Sequence, residues 1–593
     1  MLKLAAMSGM LLVTTSLSAS AIAPLDQRPS EATLAALDPT LLGRSICRGF
    51  NASEAVLQQR LGLAGNFAAS LPAVSALGLY QGIARSDLPT GDMSEQARRY
   101  FDQGLALAYG FNHKAAIRSF AMAREIDPDC AMCAWGIAMA NGPNINAGMD
   151  DASNLAALAA LEDAQRLADG LPPLAAELIA TQAKRYSAAP DADRAALDAA
   201  YADAMMDIAT RNPASDDLAV LAAESAMNTT AWNYWDPETG EARPRIAEAV
   251  ALIEAVMERN PQHPQASHLY IHLLELPQPD RAEAAADRLV ESAPVTLGHL
   301  VHMPSHIYYR IGRYKDSMTA NIAAAAADEA YLRDVGDDGL YRYGYYPHNV
   351  HFLLTSAQMM GDVRTIATQS AKLQAILSVE VARELPWVQA IHAAPHFALA
   401  QYGNPAAILA LTETPSELTY VEAMRHYARA IAHARNGEAT QFAVELAAIE
   451  ALADAPDVVA MVEAGFPAPD IVRLAAEVAK GRMALASGDH DAAIAHFNQS
   501  VELQKLVPYN EPPFWYYPVS QSLGTAYYAD GQFGEARNAF RAALAQAPNN
   551  ALALYGLAQA ERALGNRLEA QAAEAALERV WLGDDDWLRM DRI

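Results

Sequence analysis

From Ser94 onward, stretches rich in Ala and Leu at helical spacing alternate with single Gly or Pro residues. An apolar stripe recurring every three to four positions is the buried face of an amphipathic helix, and Gly or Pro ends it. The pattern therefore predicts an all-α chain of short helix pairs. Two stretches break it, residues 228–244 (NTTAWNYWDPETGEARP) and 335–346 (VGDDGLYRYGYY). Both mix turn residues with aromatics and read as loops or lids. Residues 24–93 carry no repeat pattern and are expected to form a helical cap. The N-terminus differs again: Lys3, an apolar run over 4–17, then Ser18-Ala19-Ser20-Ala21-Ile22-Ala23. A short basic start, an apolar segment too short to span a bilayer and a small-residue ending predict a signal peptide over 1–23. Cleavage is expected after Ala21 or Ala23, and the mature chain should be exported. No later apolar run is long enough for a membrane span.

The helix pairs share a register. Leu523, Gly524, Tyr527, Gly531, Ala536, Phe540, Ala543 and Pro548 recur in spacing as Tyr100, Gly104, Leu107, Ala116, Phe120, Ala123 and Pro128. Reduced copies run through Gly481, Gly488, Ala493 and Phe497, through Leu557, Gly565 and Ala570, and through Tyr308 and Gly312. In such a unit a small residue lets two helices approach, a glycine closes the turn, Ala and Phe pack back, and proline ends the second helix. This register resembles the tetratricopeptide repeat superfamily. The resemblance implies a right-handed superhelix of helix pairs, divided here into an N-terminal array (94–261), a central part (262–410) and a C-terminal array (411–593).

The central part carries the chemistry. Of 15 histidines, nine lie within residues 268–396. His268 and His272 are four apart with Glu275 following; His302 and His306 are four apart; His348 and His351 are three apart; His392 and His396 are four apart. Each spacing puts two imidazoles on one helix face. Aligning Gly312 and Gly361 with Gly531 turns His302, His306, Arg310, His348 and His351 toward the concave groove, and His268, His272 and Glu275 join them if the preceding turn is one residue longer. Neutral imidazoles ligate Zn, Cu and Fe, and facing helices can present them to one ion. The expected metal ligands are His268, His272, His302, His306, His348 and His351, with Glu275 as ligand or general base and Arg310 as an anion clamp. Pro304 either kinks its helix or starts a new one, which would leave His302 outside it. His299, three residues earlier, is a further candidate. Leu269 follows His268, so the HExxH pattern of zinc proteases is absent.

Charge and cysteine content narrow the picture. Forty-three Lys and Arg against 70 Asp and Glu give a net charge of −27. Nucleic acids and anionic membrane surfaces are thereby disfavoured as partners. No GxxxxGK[ST] or GxGxxG run points to nucleotide binding. Three cysteines exclude a disulfide scaffold; Cys130 and Cys133 are placed for a short disulfide, a redox dithiol or simple packing, and Ala134 after them rules out haem attachment. Asn144 and Asn146 in GPNIN are expected to cap helices or face the groove. Glu511 precedes an aromatic run in YNEPPFWYY, and Met149 and Met303 are compatible with copper. Together, CxxCxWG with GPNIN, HMPSHIYYRIGRY, YYPHN and EPPFWYYP resemble a group of exported bacterial tetratricopeptide proteins. That resemblance implies export to the periplasm or beyond. Three functions fit these residues: a metal-dependent enzyme, a scaffold holding a peptide or protein segment in its groove, and metal storage or delivery.

Overall fold

The computed structural model describes residues 77–593 apart from 337, 338 and 340. The expected signal peptide lies outside the described residues, as do Cys47 and most of the expected cap; the described part of the cap, 77–93, contains no helix. Among the described residues the architecture is α throughout, with two isolated bridges, Asn144–Ala147 and Trp235–Ala242, and no strand. Each helix packs on its neighbours in chain order, which builds the superhelix of tetratricopeptide-like pairs that the sequence predicts. Local chemistry sets the helix ends. The Ser94 hydroxyl accepts from the Ala97 N–H at 3.3 Å and the Asn112 side chain from Ala115 at 3.1 Å. Pro264, Pro304 and Pro386 occupy the first turn of their helices, where a missing N–H costs nothing.

The repeat register works as a wedge. Phe120, fully buried on His113–Ile126, fills the space left by Gly104 on Glu95–Tyr109 and Gly136 on Ala131–Ala140. A Cβ at either glycine would come within 2.7 Å and 2.6 Å of the ring, respectively. Phe540 repeats the arrangement between Gly524 and Gly556, where the corresponding distances are 3.0 Å and 2.2 Å, and Phe497 presses on Gly481 at 2.7 Å. One aromatic thus locks two or three helices at a spacing that any larger residue would spoil.

Both ends of the array reach the central repeats. The turn at Gly312, with φ +77°, sits so close to Pro548 that a Cβ would fall 2.2 Å from its carbonyl oxygen, and Asn549 donates to the Gly312 carbonyl at 3.2 Å. The turn at Gly361, with φ +71°, is covered by the Trp581 ring, and the Leu582 N–H donates to the Met360 carbonyl at 2.9 Å. From the other side the first helix pair inserts its turn, and Tyr331 donates to Asn112 at 3.4 Å. One apolar core therefore runs from Leu77 to Ile593 through all three parts of the chain. The histidine-bearing helices lie inside it.

The wedge predicts a contrast between two glycines of the last repeats. Gly556→Ala forces the Phe540 ring aside and should destabilise by about 1–3 kcal/mol. Gly534→Ala, on Phe533–Gln546 with open space around it, should be neutral or stabilise by roughly 0.5–1 kcal/mol. Denaturant midpoints of the two variants measure the difference, and equal midpoints would contradict the wedge.

Candidate metal centre

Three inner elements supply the histidines. Pro264–Leu274 carries His268 and His272 one turn apart. Gly298–His302 and Pro304–Arg310 meet at Met303, which keeps helical angles (φ −53°, ψ −36°). Pro304 does start a new helix, but the chain hardly changes direction there. His302 stays fully buried, and its Nε2 lies 2.8 Å from His306 Nε2. Tyr346–Met360 contributes His348 and His351.

His268, His272 and His299 form a first set, their ligand atoms all within 4.8 Å of one another. Proton placement follows from the neighbours. The Gln265 amide N–H donates to Glu224 at 3.2 Å, so its oxygen accepts from His268 Nδ1 at 2.9 Å. His272 Nδ1 faces Glu275 Oε1 at 3.3 Å. Both rings then carry their proton on Nδ1 and keep a lone pair on Nε2, and neither Nε2 has a hydrogen-bond partner. The His299 side chain has no partner on either nitrogen, while its backbone N–H donates to the Tyr341 hydroxyl at 3.1 Å. Burial, and then the neighbouring imidazoles, hold all three rings well below the usual histidine range. An unpaired buried acceptor costs about 1–3 kcal/mol. A cation accepting those lone pairs removes the cost, so the donor set fits a metal.

His302, His306 and His348 form a second set beside the first, again within 4.8 Å. Asn321 donates to the Ser317 carbonyl at 2.8 Å and accepts from His302 Nδ1 at 2.6 Å, so the His302 Nε2 lone pair accepts the hydrogen bond from His306 Nε2 at 2.8 Å. His306 Nδ1 is 2.7 Å from one oxygen each of Glu275 and Glu511. Neither approach has the alignment of a hydrogen bond, so the contact is one of charge. Burial alone would lower the His306 pKa; the two carboxylates reverse that and raise it to about 10. Burial raises both carboxyl groups, opposed by His306.

A cavity of about 150 Å³ opens over His272, His299, His306 and His348 and is walled by Asn146, Trp232, Tyr345, Trp387, Phe466 and Glu511. Trp232 donates to Asn146 at 3.1 Å and its ring meets His272 edge-on at 5.0 Å. Phe111 packs on all three rings of the first set, at 4.7, 6.1 and 5.1 Å between centroids. Phe352 does so for the second, at 5.1, 4.9 and 5.2 Å. Phe111 (φ 55°) and Trp232 (φ 61°) both adopt the left-handed backbone region. Bulky residues enter it at a cost of order 1–3 kcal/mol, and such strain concentrates at functional sites.

The structure thus gathers His268, His272, His302, His306, His348 and Glu275. Two expected residues stand apart. His351 lines the cavity but shares a hydrogen bond with Tyr516 at 2.8 Å and joins neither set, although it lies on the same helix face as His348. Arg310 is no clamp on the cavity: its Nε donates to the Glu275 carbonyl at 3.1 Å, and its guanidinium lies over the Tyr509 ring behind Glu511. His392 faces the Ser378 carbonyl at 3.3 Å, and it and His396 belong to neither set. Cys130 and Cys133 are disulfide-bonded. Asn144 caps its own turn, accepting from Asn146 and Ala147, whereas Asn146 faces the cavity. The spacing H-x₂-H-x₃-H over 299–306 signals His299, and Gln265 stands three before His268. Nothing local points to Asn321, Phe111 or Glu511 as partners of these rings.

Residues 519–560 match the tetratricopeptide repeat family. No curated protein matches the chain. Among solved structures it is similar to yeast Tom70, at 12% identity over 83% of this chain and 94% of that one, with a TM-score of 0.25. It is also similar to a chain of the APC/C hetero-tetramer Cut9–Hcn1, at 14% identity over 89% and 94%, with a TM-score of 0.23. The chain carries a tetratricopeptide repeat within an all-α array of helix pairs, and its histidine sets lie between the inner helices of that array.

Proposed function

We propose that this chain is an exported helical-repeat metalloprotein that holds a first-row transition ion on His268, His272 and His299, beneath a cavity sized for a small molecule. The observation that carries this reading is the orientation of the first set. Two rings have Nδ1 committed to Gln265 and Glu275, which leaves Nε2 as the unpartnered nitrogen of each in a set whose ligand atoms lie within 4.8 Å of one another. Ligating histidines are held in this way by partners on the opposite ring nitrogen. All-imidazole donors suit copper, zinc or iron. Such an ion with an open position polarises a carbonyl, activates water or binds oxygen. The residues around it have their own tasks: Trp232, Tyr345 and Phe111 limit water at the rings, and Glu275 fixes His272 and balances charge. Export rests on residues 1–23.

A second reading, capture of a peptide or protein segment, draws its support from the repeat at 519–560, because stacked repeats form extended concave binding surfaces.

Chain purified without chelator should retain at least one transition ion by elemental analysis, and His268→Ala with His272→Ala should remove it. Metal-free wild-type chain that takes up no added copper or zinc would leave segment capture standing. Gln265→Ala should weaken affinity by about 10–100-fold with the helical circular dichroism unchanged. If the metal-free chain is reloaded at 1,000 times its Kd, it should gain about 4 kcal/mol of stability, read as a higher unfolding midpoint.

A further inference from the structure

The second set of histidines is not used by the reading above, and its geometry asks for an ion of its own. Two ligands about 2.0 Å from one ion at 90–110° lie roughly 2.8–3.3 Å from each other. His302 Nε2 and His306 Nε2 are 2.8 Å apart, joined by a shared proton that an ion would replace, with His302 Nδ1 committed to Asn321 and His306 Nδ1 to the two carboxylates. The acidic group Glu275, His306 and Glu511 is therefore the outer support of a ligating ring rather than a third site. The sets also mirror each other, three rings under Phe111 and three under Phe352. They adjoin: His272 to His306 is 5.9 Å and His299 to His302 is 6.1 Å between centroids, no wider than the 6.2 Å from His272 to His299 within one set.

We infer that the centre is dinuclear: a second ion on His302, His306 and His348 sits beside the first, and one small oxygen-donor anion bridges the two under the cavity. This rests on the metal reading and deepens it. Paired ions in proteins stand about 3.5–4 Å apart, within reach of a single bridging atom. Charge argues for an anionic bridge. Imidazoles ligate in the neutral form, so His306, which the two carboxylates hold protonated, releases its Nε2 proton to solvent on binding, and two divalent ions bring four positive charges into a buried site. Glu275 and Glu511, both at His306, offset two of them. Hydroxide is the simplest bridge, and the cavity over His272, His299, His306 and His348 gives a small molecule access to it.

The test is titration of the metal-free full-length chain with Cu(II), followed by equilibrium dialysis and electron paramagnetic resonance. Two ions per chain are expected, with a spin count well below two because neighbouring Cu(II) ions couple. His348→Ala, at the least buried of the six rings, should bind one ion with the full signal of one spin. The same is expected of His299→Ala. One ion per chain in the wild type, bound by the first set, overturns the pair and leaves the metal reading intact. Two ions with a full count of two uncoupled spins also overturn it. No bound copper overturns both. The wild-type stoichiometry and spin count decide the question even if a variant fails to fold.

Discussion

Imidazole nitrogens of His268, His272 and His299, enclosed in an apolar interior without a hydrogen-bond partner, are the constraint on which the rest of this structure depends. His268, His302 and their neighbours are buried as deeply as the leucines beside them. Burial of this kind is costly unless a partner arrives. Four of the six rings are held by one nitrogen, on Gln265, Glu275, Asn321 or the carboxylate pair, which leaves the other for a ligand; His299 has no partner on either nitrogen. Such preorganisation is what a ligating shell requires.

Enclosure comes from how the array ends. A tetratricopeptide-like superhelix ordinarily offers an open groove, because each repeat touches only its neighbours. Here the last repeats dock on the turns at Gly312 and Gly361, and the first pair's turn places Phe111 on the histidines. Contacts between residues far apart in sequence convert a groove into a chamber. The left-handed backbone at Phe111 and Trp232 marks where closure is forced: two aromatic walls reach the rings only through an unfavourable conformation that the surrounding packing maintains.

Much of the fold was legible in the sequence, because the repeat register is local. Gly104 with Phe120 and Gly524 with Phe540 act within one helix pair, and their spacing alone predicts the wedge that the structure contains. Of the site, the pairs four apart were legible for the same reason. Helical geometry puts His268 beside His272 and His302 beside His306 whatever the rest of the chain does. The offset of three at His348 and His351 predicts a shared face as well, and only the meeting with Tyr516, 165 residues away, took the second ring out of the set.

What lay beyond the sequence is everything that spans repeats. Glu511 reaches His306 across more than 200 residues, and no periodicity links the two. Arg310 reads as an inward cation by register, yet it turns to the Glu275 carbonyl of the preceding unit and to the Tyr509 face, and the second of these exists only after the C-terminal repeats have folded back. The sequence by itself determined the helices, their wedge and which histidines share a face, since each depends on residues a turn or a repeat apart. Tertiary structure alone decided that two sets of three rings adjoin, because that follows from the closure of the superhelix, a long-range packing event with no local signature.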